Sequence, residues 1–222
     1  MVEIEAPKRP ETSLKIYETD GHWEESGYLY PEDWNAYARG YLDAAKGLIK
    51  LVEEHEFRAD TFGYPIFFLV CHYLEIRMKE MMINGRDLID EQPDFLRSHD
   101  LNKLWIECKR IIKIIDKSNG QNQLDAETRT DYSTIDHFIR ELAIDSSAQS
   151  FRYPVDRNGD PLLCDPRIKS LNVHNLGIVL DWLTYYFEGF STGIDQYNQW
   201  KREIASEFSQ EEREWFNDSD FS

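Results

Sequence analysis

Three polar side chains interrupt the most apolar stretch of this sequence. His72, Glu75 and Lys79 are separated by three and four residues, so on a helix they lie on one face. A buried charge is costly unless it is paired, and an acid four residues before a base is the favourable order for a pair. One interpretation of this face is a polar stripe that fixes packing or faces a partner subunit. The other is the wall of a cleft in which Lys79 and Arg77 hold a phosphate or substrate.

A second group lies nearer the C-terminus, where six residues separate Arg167 from His174. The histidine falls in the first turn of a predicted helix, with the arginine before it. A helix N-terminus attracts phosphate oxygens, arginine binds them with two hydrogen bonds, and histidine titrates near neutral pH. Metal-independent RNA cleavage needs such groups, a base for the 2′-hydroxyl and positive charge at phosphorus. A surface or packing role for His174 is the alternative.

The third group is Arg152, which stands between two aromatic residues and precedes Asp156. Its guanidinium can stack on a ring or pair with the acid, and the alternative is a hairpin arm packed on the rest of the domain. The turn after Asp156 lacks the glycine position and final glutamate of a calcium-binding loop. Neither metal-ligand spacing nor a glycine-rich phosphate loop occurs elsewhere, so we predict no metal and no cofactor.

Composition limits the class of protein. The 222 residues are 41% hydrophobic and 14% aromatic, which suits one packed domain. The net charge of -17 repels phosphate backbones and argues against broad, non-specific nucleic-acid binding. It leaves room for a local basic cleft or a basic protein partner. The clearest positive patch is on the third predicted helix, at Lys103, Arg110, Lys113 and Lys117.

The same sequence indicates where the protein works. Its three cysteines show no zinc-binding spacing, and an odd number is typical of reduced thiols in the cytosol. The charged N-terminus does not resemble a signal peptide, and no apolar run is long enough to cross a bilayer. We therefore expect a cytoplasmic protein without membrane association.

Five main helices are predicted to position these groups, which makes the fold class an all-α bundle. The first starts at Pro31, and its expected buried stripe is Trp34, Tyr37, Tyr41, Ala45, Leu48 and Val52. The second is apolar nearly all round, runs from Tyr64 to Asn84, and has Gly85 as its C-terminal cap. Such a helix belongs at the centre of the bundle.

The other helices are predicted at residues 98–120, 131–145 and 172–200, with a short closing helix at 211–215. Ser98 and Asn172 are the expected N-terminal caps. Residues 1–30 have no helical period and are predicted as an extended arm, which leaves residues 31–222 for the bundle domain. A hairpin-like insertion is expected at about 146–171, with its turn at Asn158-Gly159.

The second and third helices resemble those of the HEPN superfamily. The second helix of these proteins often carries His-x-x-Glu-x-x-x-Lys within an apolar run, as residues 72–79 do here. The next helix commonly opens with His-Asp-Leu-x-x-Leu-Trp, which matches His99 to Trp105. Phe-Arg-Tyr-Pro at residues 151–154, followed by Asp156, resembles a bacterial subgroup. The resemblance covers roughly residues 31–195 in the order of the elements.

This resemblance implies a helical bundle that often forms a homodimer, in toxin–antitoxin, abortive-infection and other antiviral systems. Many members are metal-independent ribonucleases that use Arg-x4-6-His, which by position is Arg167 and His174 here. Ile168 departs from the polar residue that usually follows the arginine. Our leading hypothesis is an endoribonuclease of bacterial defence or toxin–antitoxin type that cleaves RNA in a local cleft, with an antitoxin or another defence-system subunit as its protein partner.

Other HEPN members lack the motif and act as binding or scaffold modules. The alternative hypothesis is therefore a catalytically silent module that binds a nucleotide or a protein partner. Its candidate binding residues are His72, Glu75, Arg77, Lys79, His99, Arg152 and Asp156. A third hypothesis, an acidic inhibitor that mimics nucleic acid, is disfavoured because the acids are not grouped in blocks.

Overall fold

The computed structural model describes residues 32–55, 58–120, 123–144, 150–163 and 169–219, with side chains up to residue 209. These residues form five helices: α1 (Trp34–Glu54), α2 (Ala59–Leu88), α3 (Leu101–Ser118), α4 (Ala126–Leu142) and α5 (Val173–Ser219). The predicted all-α bundle is confirmed. The predicted N-terminal arm, Pro31 and Arg167 lie outside the described residues.

Helix α2 forms the centre of the bundle and packs against α1, α3 and α5. Every residue from 73 to 82 is buried, including four charged ones. The apolar side chains that meet there are fully enclosed, among them Tyr73, Leu74, Met78 and Met82 at 0% exposure. The central position predicted for this helix is therefore confirmed, and its polar residues enter the core because α2 has neighbours on several sides.

The predicted bounds of α2 were too narrow, since the helix begins at Ala59 and ends at Leu88. Pro65 lies inside the helix, where it gives up one backbone hydrogen bond without ending it. Gly85 is helical and does not cap the helix. Its lack of a side chain serves packing, because an added Cβ would lie 2.5 Å from Cγ2 of Ile111 on α3.

The predicted stripe of α1 faces the core except at Tyr37: Ala45 and Val52 are buried, and Trp34, Tyr41 and Leu48 are half-buried against the core. The buried residues are Ala38, Leu42, Ala45, Ile49 and Val52. Tyr37 is 54% exposed, so its place in the predicted stripe was wrong. The small side chain of Ala38 lets α1 approach the core, while the tyrosines at the edge of the stripe can keep their hydroxyl groups near water.

The N-terminal cap of α3 is Asp100, whose carboxylate accepts from the backbone N–H of Asn102 and Lys103. Ser98, the predicted cap, instead accepts from the N–H of Asp100 and so supports the capping residue. A carboxylate at this position accepts hydrogen bonds from backbone N–H groups that have no partner within the helix. Its negative charge also interacts favourably with the positive end of the helix dipole. The predicted end is confirmed by Gly120, which follows the helix with a φ of 79°.

Helices α4 and α5 also differ from their predicted bounds. Helix α4 starts earlier, capped by Asp125, and ends at Leu142. The predicted cap of α5 is confirmed, since the side chain of Asn172 accepts from the N–H of Asn175 at 3.0 Å. Helix α5 then continues without a break to Ser219, so the prediction of a separate helix at 211–215 was wrong.

The described part of the insertion, residues 150–163, makes a tight turn at Asn158-Gly159, as predicted. Gly159 has a φ of 89°, and its N–H donates to the carbonyl of Asp156. A single antiparallel bridge joins Val155 to Pro161, and no β-strand occurs in the residues described. None of the helices described here combines the length and apolarity that crossing a membrane requires.

Candidate functional site

The carboxylate of Glu75 is the centre of a group of polar residues on α2. It is 5% exposed, and its Oε1 accepts from Nζ of Lys79 at 2.7 Å, which confirms the predicted pair. The same Oε1 lies 2.9 Å from Nδ1 of His99. A carboxylate only accepts hydrogen bonds, so Nδ1 of His99 is the donor in this contact. The ring itself is exposed.

His72 lies one turn before Glu75 between two aromatic rings. It meets Tyr41 edge-on with centroids 4.4 Å apart and stacks on Phe68 at 5.4 Å. Burial lowers the pKa of His72, and the positive charges of Lys79 and Arg152 lower it further, against the opposing effect of Glu75. The imidazole is therefore neutral at pH 7 and can both donate and accept a hydrogen bond.

Arg152 reaches this group from the insertion. Its guanidinium lies over the rings of Phe68 and Tyr153, 5.4 Å from each centroid. Within the described part of the chain it makes no ion pair with a carboxylate. No hydrogen bond joins this guanidinium to another described residue, so its donors can face a ligand while the rings limit its motion.

We call His72, Glu75, Lys79, His99 and Arg152 the polar cluster. His72, Glu75 and Lys79 belong to α2, His99 precedes the α3 cap, and Arg152 belongs to the insertion. The charges of the other four residues all affect the pKa of His72. Beside it lies a cavity of about 20 Å³, with room for about one water molecule. The cavity is lined by Phe67, Phe68, Cys71, Glu75, His99, Leu101, Leu142 and Phe151.

Arg77 does not belong to this cluster. It is 2% exposed and donates to Oδ1 of Asn35 at 3.1 Å and to Oε1 of Glu188 at 2.8 Å. It also forms an ion pair with Glu80. Two residues along a helix correspond to about 200° of rotation, so Arg77 and Lys79 point to opposite sides of α2. The predicted joint phosphate site of these two residues is not formed, because Arg77 serves the α1–α2–α5 contact.

His174 lies apart from the polar cluster, in the first turn of α5. Its side chain is 70% exposed, and Nδ1 lies 3.2 Å from Oε1 of Glu53, near the end of α1. A carboxylate in contact with a histidine can orient the ring for proton transfer. Arg167, the predicted partner of His174, and Ile168 lie outside the described residues.

Asp156 is occupied by its own turn. Its Oδ1 accepts from the backbone N–H of Asn158 at 2.7 Å and of Asp160 at 3.0 Å. These backbone hydrogen bonds lower the pKa of the Asp156 carboxyl. The side chain shapes the loop that carries Arg152, and the structure shows no contact between Asp156 and that arginine.

Two of the four residues of the predicted positive patch on α3, Arg110 and Lys103, have acidic neighbours. Arg110 donates to both carboxylate oxygens of Glu91, at 2.8 and 2.6 Å, and to Glu107. Lys103 lies 3.9 Å from Asp100. Sequence reasoning missed these acids because Glu91 follows the end of α2, 19 residues from its arginine. It also missed Tyr41, which no spacing in the sequence connects to His72.

The residues with described coordinates include no group of three or more histidines, cysteines or acids that could hold a metal ion. No protein-family model matches the sequence, and neither a curated protein nor a solved structure shows significant similarity to it. What the protein does must therefore be inferred from its own residues and their geometry.

Proposed function

We propose that this protein is a HEPN-like helical module that binds a phosphate-bearing ligand, of the nucleotide class, at the polar cluster. One observation carries the proposal. His72 and Arg152, from two segments of the chain, both lie against Phe68, while His99, from a third, contacts the buried Glu75 of the same helix. Arg152 has no acid partner among the described residues. Packing alone does not require this concentration of side-chain nitrogen atoms near the surface.

The chemistry of the cluster suits such a ligand. An arginine guanidinium binds phosphate oxygens with two parallel hydrogen bonds, and the exposed faces near it include Tyr153, at 52% exposure. Aromatic rings of this kind stack on nucleobases. Lys79 acts indirectly, because it forms an ion pair with Glu75, and the same carboxylate contacts His99. The net charge of -17 restricts phosphate binding to such a local group of donors.

Calorimetric titration of the purified protein tests this proposal with adenosine triphosphate, inorganic triphosphate and adenosine as separate ligands. We expect Arg152→Ala to weaken triphosphate binding by roughly tenfold or more, because a hydrogen-bonded charge is lost. Arg157→Ala is the matched control, since Arg157 is an exposed arginine of the same turn. No binding by any of the three ligands, or an equal loss in both variants, would refute the proposal.

A second candidate function is metal-independent RNA cleavage at His174, favoured by its contact with Glu53. In this proposal Arg167 holds the phosphate and His174 is the base, as the HEPN resemblance implies. His174 takes the proton of the 2′-hydroxyl, whose oxygen attacks phosphorus to form a cyclic phosphate, and the proton passes to the departing 5′-oxygen. The same resemblance supports a role in bacterial antiviral defence or in a toxin–antitoxin pair, with a homodimer and an antitoxin or defence-system subunit as partners.

RNA cleavage in the presence of a metal chelator tests this second candidate. His174→Ala and Arg167→Ala should abolish cleavage, and Glu53→Gln should slow it because the imidazole loses its charged partner. Glu54→Gln, which changes the neighbouring acid on α1, should leave the rate unchanged. An inert wild-type protein, or cleavage by the His174 and Arg167 variants at the wild-type rate, would exclude a nuclease at this position.

A further inference from the structure

Helix α5 is longer than α2, the central helix of the bundle. Its 47 residues correspond to about 70 Å, against about 45 Å for the 30 residues of α2. Among its described side chains the last buried one is Asn198, whose Nδ2 donates to the carbonyl of Asn84 near the end of α2. All described side chains beyond it are exposed except Lys201, which is half-buried. We call residues 197–209 the α5 arm.

Apolar residues line one side of this arm. Tyr197, Trp200, Ile204 and Phe208 follow one another at spacings of three, four and four, so they share one face of the helix. Their exposed fractions are 37%, 54%, 53% and 64%. A helix that needs only solvent around it is polar on all sides, and a contiguous exposed apolar stripe is typical of an interaction surface.

Acids flank this stripe on one side. Glu203 and Glu207 are exposed, lie one turn apart, and form no ion pair with any described residue. The cations of the arm are directed to the bundle instead. Lys201 pairs with Asp90 at 2.6 Å and donates to the carbonyl groups at the end of α2, and Arg202 lies 3.5 Å from Asp87. The arm thus presents an apolar stripe with a negative edge.

We infer that the α5 arm is a docking site for an amphipathic helix of another protein, one whose apolar face is bordered by lysine or arginine. Helix-on-helix binding of this type uses anchors at the spacing of the four apolar residues, and charges beside the seam select the partner. The edge formed by Glu203 and Glu207 selects a basic helix over a neutral or acidic one.

A second copy of this chain fits the arm poorly. When two arms pair in antiparallel orientation, the same edge of each helix meets its counterpart. Glu203 and Glu207 would then face the same two acids of the other copy. In a parallel pair the two acids would face the other edge of the partner helix. The lysine on that edge, Lys201, already forms an ion pair with Asp90. Each copy also carries a net charge of -17. Charge complementarity therefore favours a basic partner.

Titration of the full-length protein with a synthetic amphipathic helix of leucine and lysine tests the inference. We expect this peptide to bind, and its counterpart with glutamate in place of lysine not to bind. The double variant Trp200→Ser, Ile204→Ser should weaken binding by roughly tenfold or more, as for central anchors of an interface. The matched control is Ile178→Ser, Tyr185→Ser, which removes exposed apolar residues at 58% and 74% exposure from the bundle part of the same helix.

The charge contribution is measured separately. The double variant Glu203→Gln, Glu207→Gln should weaken binding of the lysine peptide by up to about fivefold, which corresponds to the contribution of an exposed ion pair. Asp43→Asn with Glu54→Gln, two exposed acids of α1, should leave it unchanged. Failure of the lysine peptide to bind, or equal weakening by the control variants, would overturn the inference. So would sedimentation equilibrium showing a dimer that Trp200→Ser, Ile204→Ser converts to a monomer, because a second copy would then be the occupant.

Discussion

Oε1 of Glu75 lies 2.9 Å from Nδ1 of His99, across 24 residues of chain. The same oxygen accepts from Lys79, so one buried carboxylate anchors an exposed imidazole to the core of the bundle. A carboxylate at this depth is tolerable only because two donors share it. The relationship links the stability of α2 to the geometry of the polar cluster, and the two can be separated by substitution.

Removal of Lys79 should destabilise the protein strongly. Lys79→Ala leaves Glu75 buried with His99 as its remaining partner, and losing one member of a buried pair costs about 3–5 kcal/mol. The free energy of unfolding from urea denaturation measures this loss. Lys103→Ala is the control, because its side chain is 70% exposed and 3.9 Å from Asp100, so it should cost well under about 1 kcal/mol. Equal losses in the two variants would contradict a buried pair.

The position of His72 predicts a loss of stability on mild acidification. Burial lowers its folded-state pKa below the ordinary 6.5, so below this pH the unfolded chain binds more protons than the folded one. The stability contributed by neutral His72 is complete above pH 6.5 and is lost as the pH falls through its folded-state pKa. His72→Phe keeps a ring against Tyr41 and Phe68 but cannot bind a proton.

We therefore expect His72→Phe to lose less free energy of unfolding than the wild type between about pH 7.5 and about pH 5.5. Urea denaturation at the two pH values provides the comparison. His137→Phe, at a histidine with a 58% exposed side chain, should show the wild-type dependence. If the His72 variant followed the wild-type dependence as well, another group would be responsible.

Two glycines in helices should respond to alanine in opposite directions. Gly85→Ala places a Cβ 2.5 Å from Cγ2 of Ile111, so α2 and α3 must move apart at a cost of about 1–3 kcal/mol. Gly40→Ala, in α1, meets nothing within 4 Å and should gain up to about 1 kcal/mol from helix propensity. Thermal unfolding of the two variants gives the signs. Stabilisation by Gly85→Ala would mean that the α2–α3 contact is looser than this structure shows.

The cap of α3 provides a prediction that distinguishes two neighbouring residues. Asp100→Ala removes the acceptor for the N–H groups of Asn102 and Lys103 and should cost about 1 kcal/mol, whereas Asp100→Asn should keep most of the stability. Ser98→Ala should cost less, because the Ser98 hydroxyl accepts from the N–H of Asp100, which precedes the helix. Chemical denaturation of the three variants ranks them. A larger loss for Ser98→Ala would assign the cap to the serine, as the sequence had suggested.

Local sequence determined the features that depend on neighbours within one helix. The period of apolar residues predicted five helices and the central place of α2, and the spacing of Glu75 and Lys79 predicted their ion pair. These predictions succeeded because helix geometry fixes which side chains share a face, whatever the rest of the chain does. Helix ends were less accurate, as the extension of α2 past Gly85 shows, since packing against Ile111 outweighed the usual role of a glycine.

Only the tertiary structure decided which separate segments meet. The rotation of α1 that exposes Tyr37, the assignment of Arg77 to Glu188 and the convergence of His99 and Arg152 on α2 all depend on the positions of whole helices. Those positions result from many small packing contacts between distant parts of the chain, and no spacing within one segment encodes them. The sequence thus determined the helices and the shared face of His72, Glu75 and Lys79, and packing in three dimensions brought His99 and Arg152 to that face.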